Sequence, residues 1–305
     1  MPCFHPLKAY RSKNLNASGK RGIVFQSSKG LIDMPVTLPC GQCIGCRLER
    51  SRQWAIRCYH EASLYSDNCF ITLTYNDAHL PSDLSLDLAH FQKFMKRLRK
   101  KFGSNIRFFH CGEYGENFGR PHYHACLFNF DFSDKKIWMR TGKNNSTILY
   151  RSETLEKLWP YGYSSIGDVT FQSAAYVARY IMKKVTGEAA DEHYNFVMPD
   201  TGEVFYRRPE YTTMSRRPGI GKLWFDKYSD DVFPSDYIII NGKKVKPPKY
   251  YDTCYEFSNP IDFKSIKINR NKAVSVHLDN NTPDRLLIRE EIQSLKLTQL
   301  KRTLK

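Results

Sequence analysis

Apolar positions recur with helical spacing over two stretches and with strand spacing over several others. From Leu88 to Phe102 they fall at Leu88, Phe91, Phe94, Met95, Leu98 and Phe102, which predicts an amphipathic helix. Its other face carries Lys93, Lys96, Arg97, Arg99, Lys100 and Lys101, a flank able to follow phosphates. Residues 47–65 predict another helix, with Leu48, Trp54, Ile56 and Tyr59 set among arginines. Phe70-Ile71-Thr72-Leu73-Thr74-Tyr75 is β-branched and aromatic and predicts a strand. Ile106–Tyr114 and Pro121–Phe130 predict two strands of a hairpin around the turn Gly115–Gly119. A short helix near Ser152–Trp159, a strand near Ser164–Phe171 and a helix capped by Ser173 and ended by Gly187 follow. Residues 1–47, 131–150 and 241–285 show little periodicity and are expected to be irregular, and Arg285–Lys305 has the composition of a loosely held tail helix.

This order of elements predicts an α+β fold with a central antiparallel sheet and flanking helices. Three regions are expected. Residues 1–65 form a cysteine-containing segment and a helix packed on the core, 66–225 the core, and 226–305 a C-terminal extension.

Charge narrows the partner. A formal net charge of +16 and 14% aromatic residues favour a polyanion, and the aromatics suit stacked single-stranded bases. No run of about 18 apolar residues is present, so no membrane span is expected. The start, Met1-Pro2-Cys3-Phe4-His5-Pro6, lacks the pattern of a signal peptide. The nine cysteines are therefore expected as thiols or metal ligands in a reducing compartment.

Chemistry concentrates in two places. On the second hairpin strand, His122 and His124 share a face, with Cys126 and Phe128. Arg107, Phe109, Cys111 and Glu113 share a face of its mate. The simplest pairing sets Glu113 beside both histidines, and Glu116 in the turn is the alternative. Two imidazoles and a carboxylate suit Mg²⁺ or Mn²⁺ with positions left open for a phosphate oxygen. The second place is Tyr176-Val177-Ala178-Arg179-Tyr180. At about 100° per residue, Tyr180 lies about 40° and Lys183 about −20° from Tyr176. Ala174, Val177, Ala178, Ile181 and Val185 fill the opposite side. The tyrosines therefore turn from the core beside a lysine, as nucleophiles would.

Cys40, Cys43 and Cys46 form C-x₂-C-x₂-C. With Cys3 or His5 as a fourth ligand they are a candidate structural zinc site. Gly219-Ile220-Gly221-Lys222 lacks the spacing of a phosphate loop.

Phe70–Tyr75, Arg120-Pro121-His122-Tyr123-His124 and Tyr176–Lys184 together resemble the three motifs of the HUH endonuclease superfamily, in the two-tyrosine form of rolling-circle replication initiators. Leu38–Arg47, Cys111–Glu116 and Met214–Gly221 resemble the initiators of small single-stranded DNA phages, the Microviridae, the gokushovirus branch most of all. The likeness covers about residues 1–225, and the third motif is its most specific part. Arg179 departs from a frequent lysine but keeps the charge. The resemblance implies a palm-like sheet of ferredoxin type, Mg²⁺ or Mn²⁺ at His122, His124 and Glu113, and Tyr176 and Tyr180 assisted by Lys183. It further implies DNA contacts from Arg179, Lys184 and Arg120, and nicking and joining at the phage origin through a 5′-phosphotyrosine. Host helicase and polymerase would then be partners, in the cytoplasm of a bacterial host. The alternatives are a plasmid initiator, transposase or relaxase of the same superfamily, or a non-catalytic, zinc-stabilised nucleic-acid-binding protein.

Overall fold

A computed structural model describes residues 3–17, 19–115, 119–142, 146–179, 189–197 and 202–299, and statements of structure refer to these. The chain divides into two compact units, Met1–Arg50 with Arg270–Arg302, and Ser51–Asn269 with Thr303–Lys305.

In the first unit, β1 (Leu7–Leu15), β2 (Arg21–Val24) and β3 (Gly30–Leu38) form an antiparallel sheet in the order β2-β1-β3. Tyr10 pairs with Val24 and Ala9 with Val36. Gly30 allows close approach, since a Cβ there would lie 2.4 Å from that of Tyr10. This sheet corrects the expectation of an irregular N-terminus. Within it only Ala9 and Gly30 are buried, so neither face writes a period-two apolar signal.

α1 (Ile44–Ala62) crosses into the second unit. There β4 (Asn68–Tyr75) is followed by α2 (Leu88–Phe102), β5 (Arg107–Tyr114), β6 (Pro121–Phe128), β7 (Lys136–Thr141), β8 (Thr147–Arg151), α3 (Glu153–Leu158), β9 (Gly162–Gly167) and α4 (Phe171–Arg179). Then come α5 (Ala189–Tyr194), β10 (Asn195–Val197), β11 (Val204–Tyr206) and β12 (Tyr211–Met214). The chain continues with α6 (Lys222–Val232), β13 (Ile238–Ile240), β14 (Lys243–Val245), α7 (Lys249–Ser258) and α8 (Pro260–Ser275), and ends with α9 (Pro283–Thr298), which lies in the first unit.

Seven strands pair antiparallel in the order β12-β5-β6-β4-β9-β8-β7. This is the expected α+β architecture. Alternation divides the side chains between two apolar layers. Ile71, Leu73, Tyr123, Ala125 and Leu127 pack with Phe91, Phe94 and Leu98 of α2 and with Trp159. Phe70, Phe109, Cys111, Cys126 and Phe128 pack with Cys58 of α1 and with Ala174, Val177 and Ala178 of α4. A third layer joins Phe225 and Val232 of α6, Tyr251 and Tyr255 of α7, and Phe263 and Ile266 of α8.

α2 matches its predicted span and is capped by the Asp87 carboxylate, which accepts from the Ala89 amide. The hairpin β7–β8 and helices α7 and α8 replace predicted loops. β7 leaves Ile137, Trp138 and Met139 exposed in a row, which erases its alternation. α7 and α8 each bury only two side chains. At α4, Thr170 and not Ser173 is the cap. The Ser173 amide donates to Thr170 Oγ1 (3.0 Å), and the Thr170 amide donates back to Ser173 Oγ (2.8 Å).

Candidate metal and nucleophile site

The site grows from the register of three neighbouring strands. β6 lies between β5 and β4, so His122 is opposite Glu113 on one side and Thr74 on the other. His124 is opposite Cys111 and Thr72. Antiparallel pairing puts these side chains on one face, the face that α4 covers.

Each imidazole is held by a threonine. His122 Nδ1 lies 3.0 Å from Thr74 Oγ1, and His124 Nδ1 lies 3.0 Å from Thr72 Oγ1. When the Nδ1–H donates to the threonine, the lone pair is on Nε2, the tautomer a metal ligand needs. His124 Nε2 meets Glu113 Oε1 at 2.8 Å with both side chains buried. The two imidazole rings stand 6.4 Å apart.

The donors fit a divalent cation. An ionised carboxylate this deeply buried costs several kcal/mol unless positive charge balances it. At the other histidine, a Cβ on Gly115 would lie 2.7 Å from His122 Nε2, so glycine keeps the space beside that nitrogen open. His122 is only half-buried, which leaves the site an approach.

α4 closes over this face. Ala174, Val177 and Ala178 are fully buried against the sheet. Tyr176 sits at the edge of that contact, half-buried. Its ring is edge-on to His124 at 5.3 Å and to Phe70 at 6.3 Å. The helical wheel turned Tyr176 wholly from the core. The structure instead lays it against the histidine at the margin of the apolar layer. Tyr180, Lys183, Lys184 and Glu116 lie outside the described residues, as does the side chain of Arg179. Arg120 donates to the Tyr75 carbonyl (2.9 Å) and to Asp77 Oδ1 (2.5 Å).

Thr72 and Thr74 were not singled out from sequence. Their signal was available, since both share the parity of Phe70 on the strand before the hairpin. Cys126, two residues from His124, is packing material, its thiol pushed up to about 12 by burial.

At the opposite end of β5 from Glu113 lies an open groove of about 800 Å³, lined by Arg99, Arg107, Arg216 and Arg217 among others. Arg107 pairs with the buried Glu61, while Arg216 and Arg217 are exposed.

In the first unit Cys3, Cys40, Cys43 and Cys46 converge, with all four sulfurs within 4.8 Å of one another. This cluster is able to hold zinc. Burial raises the thiols of Cys3 and Cys46. At Cys40 burial also acts upward, but the amides of Cys43 and Gln42 outweigh it and bring the thiol down to about 7.

The family model described as replication-associated protein ORF2/G2P matches residues 68–185. Replication-associated protein VP4 of Bdellovibrio phage phiMH2K is 36% identical over 271 residues, covering 85% of this chain and 79% of the relative. The chain belongs to the replication-associated protein family of the Microviridae. Two further family members match. Replication-associated protein ORF2 of Spiroplasma virus 4 is 33% identical over 275 residues, 84% of this chain and 81% of the relative. Replication-associated protein ORF4 of Chlamydia phage 1 is 32% identical over 223 residues, 70% of this chain and 52% of the relative. No solved structure matches. As a family member the chain has its role in phage replication. Among the described residues, no helix is long and apolar enough to cross a membrane.

Proposed function

We propose that the chain nicks and rejoins single-stranded DNA at the phage origin, and so initiates and terminates rolling-circle replication. The observation that carries this reading is Tyr176 set edge-on against His124, which is itself bonded to Glu113. A binding protein has no use for a phenol beside two imidazoles and a buried carboxylate.

The tyrosine oxygen attacks phosphorus, and the bond from phosphorus to the 3′-oxygen breaks. That oxygen leaves as a hydroxyl, taking up a proton, and the 5′-phosphate stays on the tyrosine. One ester replaces another, so rejoining is the reverse step and needs no ATP. A free phenol ionises with a pKa of about 10, and Lys183 is assigned to favour the phenolate. Bound by His122, His124 and Glu113, Mg²⁺ or Mn²⁺ would polarise the scissile phosphate as a Lewis acid. By accepting from the Nδ1–H groups, the Thr72 and Thr74 hydroxyls would hold both imidazoles in the tautomer this requires.

With Tyr176 and Tyr180 four residues apart, one tyrosine retains the old 5′ end while the other opens the new one. Arg179, Lys184 and Arg120 are assigned to the strand's phosphates. Host helicase and polymerase would supply unwinding and synthesis in the host cytoplasm.

The test is incubation of the folded chain with single-stranded oligonucleotides tiling the phage origin, in Mn²⁺. The expected product is a covalent protein–DNA adduct and a free 3′-hydroxyl fragment. Binding without any adduct across the whole origin region would establish the non-catalytic alternative instead.

A further inference from the structure

Cysteines that sit together can be packing, a disulfide pair, an iron–sulfur site or a zinc site. The run C-x₂-C-x₂-C alone leaves the metal open, because iron–sulfur proteins use it too. The geometry separates these. Around one tetrahedral zinc with Zn–S bonds of about 2.3 Å, neighbouring sulfurs lie roughly 3.8 Å apart. Here all four lie within 4.8 Å of one another, and Cys40 Sγ is 4.0 Å from Cys46 Sγ. An iron–sulfur cluster distributes its four cysteines over two or four irons, which demands a wider spread. A disulfide would use two sulfurs and leave no reason for the other two to converge.

The backbone is shaped to the same end. The Cys43 amide donates to Cys40 Sγ (3.3 Å), the Cys40 amide to Cys3 Sγ (3.2 Å) and the Phe4 amide to Cys43 Sγ (3.3 Å). Amide donors aimed at sulfur stabilise thiolates, the form that binds metal. The turn that brings Cys40 and Cys43 together depends on Gly41 at φ 77°, a conformation glycine adopts without strain. Cys46 lies in the first turn of α1, where the helix dipole favours negative charge. Arg50 reaches back to the Gly41 carbonyl at 3.3 Å, which places a cation beside the cluster.

We infer that Cys3, Cys40, Cys43 and Cys46 bind a single Zn²⁺ that ties the N-terminus to the start of α1 and so closes β1, β2 and β3 into a stable unit. The need is physical. That three-stranded sheet buries only Ala9 and Gly30, far too little apolar surface to fold by itself. A structural metal supplies what the core lacks. All four positions are filled by protein sulfur, so the ion has no open site and no part in the chemistry at His124.

The full chain, purified under reducing conditions from zinc-supplemented growth, is analysed by plasma mass spectrometry. One zinc per chain is expected, without the visible absorbance of iron–sulfide. Replacement by Co²⁺ should produce the intense bands of a tetrahedral thiolate site. Cys40→Ser should lose the metal and those bands, while His124→Ala should keep both. Metal-free wild-type chain that gives no such Co²⁺ spectrum overturns the proposal, whatever the serine variant does. So does iron in place of zinc, or zinc that is lost with His124 instead of Cys40. None of these outcomes depends on nicking.

Discussion

His110 and His124 stand on neighbouring strands and turn to opposite faces of one sheet. Both are buried and both have a threonine at Nδ1. His110 stacks on Phe91 at 3.4 Å, and its Nε2 has no hydrogen-bond partner among the described residues. Burial, with His124 nearby adding to it, pushes its pKa well below the usual imidazole value. His124 has Glu113 at Nε2, Tyr176 across its ring and the half-buried His122 beside it. Burial and a threonine therefore do not make a ligand. What separates the two is a carboxylate at the outer nitrogen and a second imidazole near the surface.

The largest expected effect divides stability from activity across the sheet. His124→Ala should lower adduct formation per folded molecule by about 10³-fold, the scale of several kcal/mol of lost metal assistance, beyond any stability it also loses. His110→Ala should touch stability alone. It should cost about 3 kcal/mol in denaturant unfolding, with nicking per folded molecule retained. If His110→Ala abolished nicking while the chain stayed folded, the distinction between the two histidines would collapse.

The threonines refine it. Thr72→Val and Thr74→Val should each weaken Mn²⁺ binding by about 10–100-fold, measured by calorimetry, since they orient ligands. Thr213→Val beside His110 should leave Mn²⁺ affinity unchanged. Gly115→Ala should weaken it by about tenfold, because the added methyl crowds His122 at a cost of roughly 1–3 kcal/mol.

The smallest step is in acid. His60, stacked on Trp224 at 3.5 Å and bonded to the Tyr251 hydroxyl at 3.0 Å, has its pKa lowered to about 3 by burial. His60 and His110 stay neutral in the folded chain but take up protons below about pH 6.5 when unfolded. Each therefore stabilises the fold above that pH, and stability falls as pH drops from about 6.5 towards 3, by up to about 1.4 kcal/mol per unit per histidine. Urea midpoints for His110→Phe should fall less steeply over that window than those of the wild type. Equal slopes would show that His110 is protonated in the fold.

Local pattern was enough for much of the second unit. The 3.6-residue stripe of α2 and the two-residue alternation of β5 and β6 are signals each element carries alone. The pairing of Glu113 with the histidines followed from parity. β1–β3, β7–β8, α7 and α8 were missed for a common reason. Their elements bury at most two residues each, and β7 exposes the run Ile137-Trp138-Met139, so burial leaves too little periodicity to read. The cap of α4 was misplaced by three residues, because Thr170 and Ser173 carry equivalent hydroxyls and the reciprocal bond joins both.

The order of residues by itself determined which side chains share a face, since alternation and helical pitch are properties of a short segment. It placed His122 with His124, Glu113 opposite them, and Ala174, Val177 and Ala178 on one stripe. Which segments meet was decided only by tertiary structure. β4 lies beside β6 and supplies Thr72 and Thr74, α4 crosses that face and sets Tyr176 against His124, and Cys3 joins Cys40, Cys43 and Cys46. Such contacts join residues far apart in the chain, and they form only when burying the apolar layers of the whole fold outweighs the entropy lost in closing the intervening loops.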